Sequence, residues 1–191
     1  MTSPPDAFLF ALRQLISLSD SEAEALLARC EVRTYQRKTL LSIPGQVPDE
    51  VFFIARGIIR VMITDLDGVE HTTHFALEGQ FIADYASFIR QAPAAYALQA
   101  LEDTEVVVMP RTAVVYGYQH VQDGEKLGRL IAEYYFIYLD NRIINLYAKT
   151  PRERYDLMGQ IFPDIHNRVP QHMIASYLGI TPVHLSRLKK A

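Results

Sequence analysis

The sequence predicts an α+β fold in which a strand-rich body is followed by a long helix and a small helical module. Three observations support this class. Short β-branched and aromatic runs with a period of two fill the region from Arg33 to Pro110. The stretch from Glu125 to Ala148 has no proline and keeps apolar residues at helical spacing. Glycine and proline then divide the remaining residues into short helices.

Composition and length limit the classes of protein that fit. The 191 residues are 49% hydrophobic and 21% charged, which is typical of a globular protein with one domain or two small ones. The single cysteine, Cys30, excludes a disulfide framework, a thiolate zinc site and a four-cysteine iron–sulfur cluster within one chain. Because no apolar run reaches the roughly 18 residues that span a bilayer, we expect a cytoplasmic protein without a membrane partner.

Two consecutive helices are predicted at the N-terminus. The apolar stretch from Ala7 to Leu18 is interrupted by Arg13 and is followed by acidic residues, so it does not resemble a signal peptide. A second helix follows directly, with Ser19 or Ser21 as its N-cap. Cys30 is expected to lie on this helix and to pack as a small hydrophobic side chain.

The central region predicts antiparallel strands. Val51–Ile54 and Ile58–Ile63 are short apolar runs, and Asp67-Gly68 after them is a strong hairpin signal. Tyr96–Ala100 and Glu105–Met109 continue the pattern. Many short strands at this spacing indicate a sandwich or a closed barrel. The same pattern also fits a purely structural barrel without a ligand.

The long helix predicts self-association. Its apolar residues are spaced 3-4-3-7-4, with one polar residue in the gap, as in a two-stranded coil whose register is fixed by a polar side chain. A second apolar line indicates that another face packs on the body; it comprises Ile131, Tyr135, Leu139, Ile143 and Leu146. The alternative is a helix buried within one chain. The predicted homodimer interface comprises Leu127, Leu130, Tyr134, Ile137, Asn141 and Ile144.

The C-terminal region predicts a helix-turn-helix. Thr150 and Glu153 form a capping box around Pro151, so a helix begins there. Gln171–Leu178 is the next helix, and Gly179 separates it from Val183–Lys190. A generic helical hairpin is the alternative.

Charge is distributed unevenly along the chain. Residues 150–191 hold six basic and three acidic side chains, a balance of +3, which leaves −6 for the rest of a chain whose total is −3. Such asymmetry indicates a basic module on an acidic body. We therefore predict double-stranded DNA as a partner, with Arg187 reading guanine in the major groove. The predicted contacts are Thr181, Pro182, Val183, His184, Ser186, Arg187, Lys189 and Lys190.

Together these segments resemble the Crp/Fnr family of bacterial transcription regulators over nearly the whole chain. The resemblance implies a jelly roll of the cyclic nucleotide-binding type, a dimerisation helix and a DNA-binding helix-turn-helix. In that family, a ligand in the jelly roll shifts the dimer helices and re-aims the recognition helices. The motifs that carry the resemblance are Val51–Val61, Asp65–Gly68, Gly79–Phe88 and Arg168–Arg187.

The resemblance also implies where an effector would bind. Cyclic-nucleotide members use a Gly-Glu pair for the ribose and an Arg-Ser pair for the phosphate; here these positions are occupied by Ala83-Asp84 and Ala94-Ala95. The phosphate clamp is therefore missing, and Arg90 is a weak candidate to replace it. We predict an unknown small-molecule effector in place of typical cyclic AMP binding. The implied effector residues are Ala83, Asp84, Tyr85, Ala94, Ala95, Leu139 and Asp140.

No catalytic or metal site is predicted, and no cofactor. His71 and His74 are three apart on a strand, so they face opposite sides and do not form a metal pair. The expected domains are a sensor over 1–121, a dimerisation helix over 122–148 and a helix-turn-helix over 149–191 that ends before a wing. RNA polymerase is a further candidate partner. The alternative function is a small-molecule-binding or protein-interaction module with a degenerate DNA-binding end.

Overall fold

The computed structural model describes residues 2–190. Helices α1 (Pro4–Leu15) and α2 (Asp20–Leu27) precede the strands, and α3 (Tyr85–Arg90) lies between the sixth and seventh strands. The strands are β1 (Glu31–Tyr35), β2 (Leu40–Ser42), β3 (Glu50–Arg56), β4 (Ile59–Thr64), β5 (Glu70–Ala76), β6 (Phe81–Ile82), β7 (Ala97–Ala100) and β8 (Thr104–Pro110). The helices that follow are α4 (Arg111–His120), α5 (Gly124–Ala148), α6 (Pro151–Ile161), α7 (Ile165–Arg168), α8 (Gln171–Leu178) and α9 (Pro182–Leu188).

The strands form two four-stranded antiparallel sheets, ordered β1-β8-β3-β6 and β2-β7-β4-β5. Alternate side chains of the two sheets meet in a shared core, for example Phe52 and Ile54 of β3 with Ile59 and Val61 of β4. This alternation is what a pleated strand with one buried face requires. The predicted α+β class with an antiparallel jelly roll is confirmed.

The predicted hairpin joins β4 to β5. Gly68 has a φ of +80°, which favours glycine. Asp65 stabilises the turn because its Oδ1 accepts hydrogen bonds from the backbone N–H groups of Asp67 and Val69, at 3.0 and 2.9 Å. Its other carboxylate oxygen lies 2.6 Å from His71, whose side chain is exposed. His71 is therefore a surface residue of the turn.

The two N-terminal helices are confirmed. Ser19 caps α2 in a reciprocal capping box with Glu22, so the alternative cap at Ser21 is wrong. Phe8 of α1 is fully buried and packs its ring edge-on against Phe53 and Phe81 of the jelly roll. Cys30 is partly buried beside the same cluster, and burial raises the pKa of its thiol to about 11.

Helix α5 packs on the body along a line that differs from the predicted one. Ile131 and Tyr135 are partly buried, as expected, but Leu139, Ile143 and Leu146 are 52%, 56% and 37% exposed. The geometry of a helix explains the error: four residues turn by about 400°, so a line at i, i+4 drifts by roughly 40° per step. The inward line continues instead through Tyr138, Arg142 and Asn145.

The C-terminal module packs directly against the jelly roll. The predicted capping box of Thr150 and Glu153 begins α6. Ser176 of α8 accepts a hydrogen bond from the backbone N–H of Thr72 on β5 at 2.9 Å, and Arg168 pairs with Glu78 at 2.6 Å and also with Glu102. The shared core joins Ile58, Phe75, Leu77 and Leu101 of the body to Met158, Phe162, Ile174, Ala175, Tyr177 and Leu178 of the module.

Candidate effector cavity and nucleic-acid interface

A cavity of about 550 Å³ lies between the jelly roll and helices α4 and α5. Its volume is within the range of small-molecule sites. The wall is mostly apolar and includes the exposed side chains of Phe136 and Ile89. Other lining side chains include Val61, Phe81, Ile82, Leu127 and Ile131.

The cavity brings together only some of the predicted effector residues. Ala83, Asp84, Tyr85 and Leu139 line it. Ala94, Ala95 and Asp140 are not among the described lining residues. Ala94 is buried with its N–H bonded to the Gln46 carbonyl at 2.8 Å, whereas Ala95 and Asp140 are exposed.

Asp84 is 3% exposed and already has three hydrogen-bond donors. It caps α3 by accepting from the backbone N–H of Ser87 at 3.2 Å. Its second carboxylate oxygen accepts from the N–H groups of Ala95 and Tyr96, at 2.8 and 3.2 Å. The N–H of Ala95, at a position that the resemblance assigns to the phosphate clamp, is thus bound by a side chain of the protein itself.

Arg90 does not supply the missing cation in this structure. It is exposed at the C-terminal end of α3, and its Nε donates to the carbonyl of Ala86 at 3.1 Å. It is also absent from the described residues that line the cavity. The cavity wall therefore lacks the arginine that the resemblance associates with a cyclic phosphate.

His74 lines the cavity and was not among the predicted effector residues. It lies on β5, is 6% exposed, and neither ring nitrogen has a hydrogen-bond partner among the described residues. Burial, and to a lesser degree the charge of Arg142, lowers the pKa of His74 to about 3. The opposite orientation of His71 and His74 on one strand was the available sequence signal that one of them faces inward.

Aromatic side chains connect the cavity to the C-terminal module. The His74 ring centroid lies 4.4 Å from that of Tyr138 and 5.9 Å from that of Phe162. The Tyr138 hydroxyl is 3.0 Å from the Tyr177 hydroxyl of α8. Arg142 lies over the Tyr177 ring at 3.9 Å and donates to the Tyr177 carbonyl. Tyr138 and Arg142 of α5 therefore contact α8 directly.

Helices α8 and α9 form the predicted helix-turn-helix. Gly179 closes α8 with a φ of +68°, and the Thr181 side chain caps α9 by accepting from the His184 N–H at 3.1 Å. Leu185 and Leu188 of α9 are buried against the module. The predicted DNA-contact residues are all exposed; they are Thr181, Pro182, Val183, His184, Ser186, Arg187, Lys189 and Lys190.

The predicted dimer residues are distributed over two environments. Tyr134, Ile137 and Ile144 are 50%, 58% and 50% exposed, and Asn141 is exposed between them. Leu127 packs instead against the cluster of α1 and β8, and Leu130 is partly buried. The C-terminal half of α5 thus presents an uncovered apolar stripe in the single chain.

Residues 32–116 match the family model of the cyclic nucleotide-binding domain. They run from β1 into α4 and include the β5 strand and the α3 helix that border the cavity. This segment of the chain is therefore similar to cyclic nucleotide-binding domains. The match agrees with the predicted jelly roll of the cyclic nucleotide-binding type. A search of curated proteins finds no match by sequence.

Several solved structures share this fold at 14–17% sequence identity. FixK2 from Bradyrhizobium japonicum has a TM-score of 0.73 at 17% identity, covering 84% of this chain and 83% of its own. The c-di-GMP responsive regulator CLP from Xanthomonas campestris has a TM-score of 0.69 at 15% identity, covering 90% of each chain. A Crp/Fnr family regulator from Eubacterium rectale has a TM-score of 0.71 at 14% identity, covering 91% and 82%. These likenesses confirm the fold that the resemblance implies.

Two other findings concern the described residues only. Within residues 2–190, no group of three or more histidine, cysteine or acidic side chains is placed to hold a metal ion. None of the helices described is both long and apolar enough to cross a membrane.

Proposed function

We propose that this chain is a homodimeric transcription regulator that binds double-stranded DNA and responds to a small molecule in the cavity. In this proposal, residues 1–121 form the sensor, 122–148 the dimerisation helix and 149–191 the DNA-binding module. The surface of α9 is the main support, because it presents polar and basic side chains outward while two leucines fix its other face.

The chemistry of α9 suits the edges of base pairs. The exposed guanidinium of Arg187 has no ion pair or hydrogen bond to another described residue, so it is free to donate to guanine O6 and N7. Val183 is 62% exposed and can contact a thymine methyl group. Lys190 is exposed and can contact phosphate, whereas Lys189 also donates to the Gln171 side chain at 3.1 Å.

The exposed stripe of α5 supports a symmetric dimer. Burial of Ile137 and Ile144 against a second copy would remove apolar surface from water, and Asn141 would fix the register of the pair. Two-fold symmetry places two copies of α9 on half-sites about 34 Å apart. We therefore expect the preferred DNA to be a near palindrome.

Signal transfer follows from the aromatic contacts between α5 and α8. A ligand that displaces Tyr138 would alter its hydroxyl contact with Tyr177, and α8 carries α9 with it. We propose that this is how the sensor changes DNA affinity. A cytoplasmic location, contact with RNA polymerase and the absence of catalytic activity belong to the same proposal.

Fluorescence anisotropy with a random duplex at low salt tests DNA binding, and selection from a randomised duplex pool then supplies the preferred site. Arg187→Ala should weaken binding to that site by about 1–3 kcal/mol and relax the preference at one base pair. Arg37→Ala removes the same charge from an exposed turn of the sensor and serves as the matched control.

Absence of binding to any duplex at low salt would contradict the proposal. That result would favour a small-molecule-binding or protein-interaction module. An equal loss of DNA affinity in the Arg187 and Arg37 variants would also contradict the assignment of α9. It would show that DNA affinity depends on the net charge of the chain and not on a specific contact of Arg187.

A further inference from the structure

We propose that the cavity binds an uncharged, mainly apolar small molecule whose single hydroxyl or carbonyl group hydrogen-bonds to His74. The inference rests on the proposed function only in treating the cavity as the sensor's effector site. Binding itself requires neither DNA nor a dimer, so the two proposals fail separately. Three features of the cavity support this ligand class.

The first feature is the absence of a cationic side chain. The described residues that line the cavity include no lysine and no arginine. A buried phosphate without a cation is strongly disfavoured, because the lost hydration is not replaced. Arg90, the nearest candidate on α3, is exposed and turned back to its own helix. The wall is therefore suited to an uncharged molecule.

The second feature is Asp84, which occupies the donors that an anion would need. Its two carboxylate oxygens accept from the N–H groups of Ser87, Ala95 and Tyr96 at 2.8–3.2 Å. A phosphate bound at Ala95 would have to displace this buried side chain and uncap α3. The Asp84 carboxylate thus takes the place of a bound anion at these N–H groups, and the apolar part of the cavity remains available to a ligand.

The third feature is His74, a buried polar group without a partner. Two partly buried hydroxyl groups of the cavity wall have partners: the Thr73 hydroxyl donates to the Val61 carbonyl at 3.2 Å, and the Tyr135 hydroxyl donates to the Phe81 carbonyl. Both nitrogens of His74 lack partners in a wall where burial without a hydrogen bond is costly. A ligand that fills the cavity can supply the missing partner.

The kind of group that His74 accepts follows from its charge state. Burial keeps the ring neutral at pH 7, and a neutral imidazole has one donor and one acceptor nitrogen. It can therefore accept from a hydroxyl or donate to a carbonyl without introducing a charge. A ligand of this type would sit beside Tyr138 and Phe162, which contact the His74 ring on the side of the C-terminal module.

Calorimetric titration of the full chain with 2-naphthol and 2-methylnaphthalene tests the inference, because the two probes have nearly the same shape and differ in one hydroxyl. We expect 2-naphthol to bind more tightly and cyclic AMP to give no saturable heat. In His74→Phe the preference for 2-naphthol should fall roughly threefold to tenfold, the value of one neutral hydrogen bond. His71→Phe, on the exposed side of the same strand, should keep it.

A second measurement keeps the test valid if His74→Phe is poorly folded. In the unmodified protein, the imidazole ¹⁵N resonances of His74 should shift when 2-naphthol is added and should not shift with 2-methylnaphthalene. Three results would overturn the inference: no saturable binding of either probe, unchanged His74 resonances, or saturable binding of cyclic AMP. DNA binding without probe binding refutes this inference alone, and His74-dependent probe binding without DNA binding refutes the proposed function alone.

Discussion

The cavity and the surface of α9 differ in where their polar groups are directed. In the cavity, Asp84 and Tyr135 bond to the protein's own backbone, and His74 is left without a partner in an apolar wall. On α9, the apolar side chains Leu185 and Leu188 face inward and the basic ones face water. The partner of each region is predicted from the groups that folding leaves unsatisfied: an uncharged apolar molecule for the first and a polyanion for the second.

These two regions are connected through one buried cluster. Phe162 lies 5.9 Å from His74 of the cavity wall and 5.6 Å from Tyr177 of α8, measured between ring centroids. Cores packed to near-crystal density transmit displacements instead of absorbing them. If Phe162 couples the two regions, the jelly roll and the helix-turn-helix should unfold together in one transition.

The largest expected effect comes from removing the shared ring. Phe162→Ala should destabilise the chain by about 3–5 kcal/mol, because Phe162 is 1% exposed and truncation leaves a cavity. Urea unfolding followed by circular dichroism measures the loss, with the 67% exposed Phe10→Ala as the control. A small loss, or two separate transitions with only one affected, would show that the two regions are independent.

How far the sequence could predict the two regions follows from their physics. The helix-turn-helix was predictable because Thr181 and Gly179 are local signals, and local signals determine caps and turns. The cavity was not, because its wall combines β5, α3 and α5, and the side-chain contacts between these elements are not visible in a single sequence. His74 is the clearest case: the strand period placed it opposite His71 but gave no distance to Tyr138.

The jelly roll and the long helix show the same division. Period-two runs predicted the strands around Asp67-Gly68, since the hairpin joins neighbours in the chain. The inward face of α5 was only half predicted, because the direction of the helix across the body decides whether Leu139 or Tyr138 is covered. Long-range packing therefore decides what local periodicity leaves open.

The second effect tests whether Asp84 supports the cavity from within. Asp84→Ala should cost roughly 2–4 kcal/mol, because it removes a helix cap and leaves the N–H groups of Ala95 and Tyr96 unpaired. Thermal and urea unfolding measure the change. Asp140→Ala, at the other predicted effector aspartate, is exposed on α5 and should change stability by less than about 0.5 kcal/mol. Similar effects of the two substitutions would contradict the structural role of Asp84.

The third effect is a pH dependence located in the cavity. The pKa of His74 is about 3 in the folded chain and near 6.5 when unfolded, so the unfolded state binds more protons between these values. Above pH 6.5, His74 therefore does not change the free energy of unfolding. As the pH falls from 6.5 toward 3, His74 lowers the free energy of unfolding by up to about 1.4 kcal/mol per pH unit. Burial raises the pKa of neighbouring Tyr135 and Tyr138, which stay neutral in this range.

Urea unfolding at pH 7, 6 and 5 measures this contribution. Between pH 7 and pH 5, His74→Phe should lose roughly 2 kcal/mol less stability than the unmodified chain, because the group that gains a proton on unfolding is gone. His71→Phe removes an exposed imidazole from the same strand and serves as the matched control. Parallel curves for all three proteins would show that His74 is not buried in its neutral form.

The smallest effect sharpens the α9 side of the comparison. Lys190→Ala should reduce the slope of log K against log salt by about 1, because one phosphate contact and its released counterion are lost. Anisotropy titrations on one duplex from low to moderate salt measure that slope. Lys126→Ala is the control, because it removes an exposed lysine that pairs with Asp123 near the N-terminal end of α5, outside the C-terminal module. The salt slope of this variant should equal that of the unmodified chain. An equal fall of the slope in both variants would mean that the salt dependence reflects the net charge of the whole chain. The assignment of α9 as the DNA-binding surface would then be contradicted.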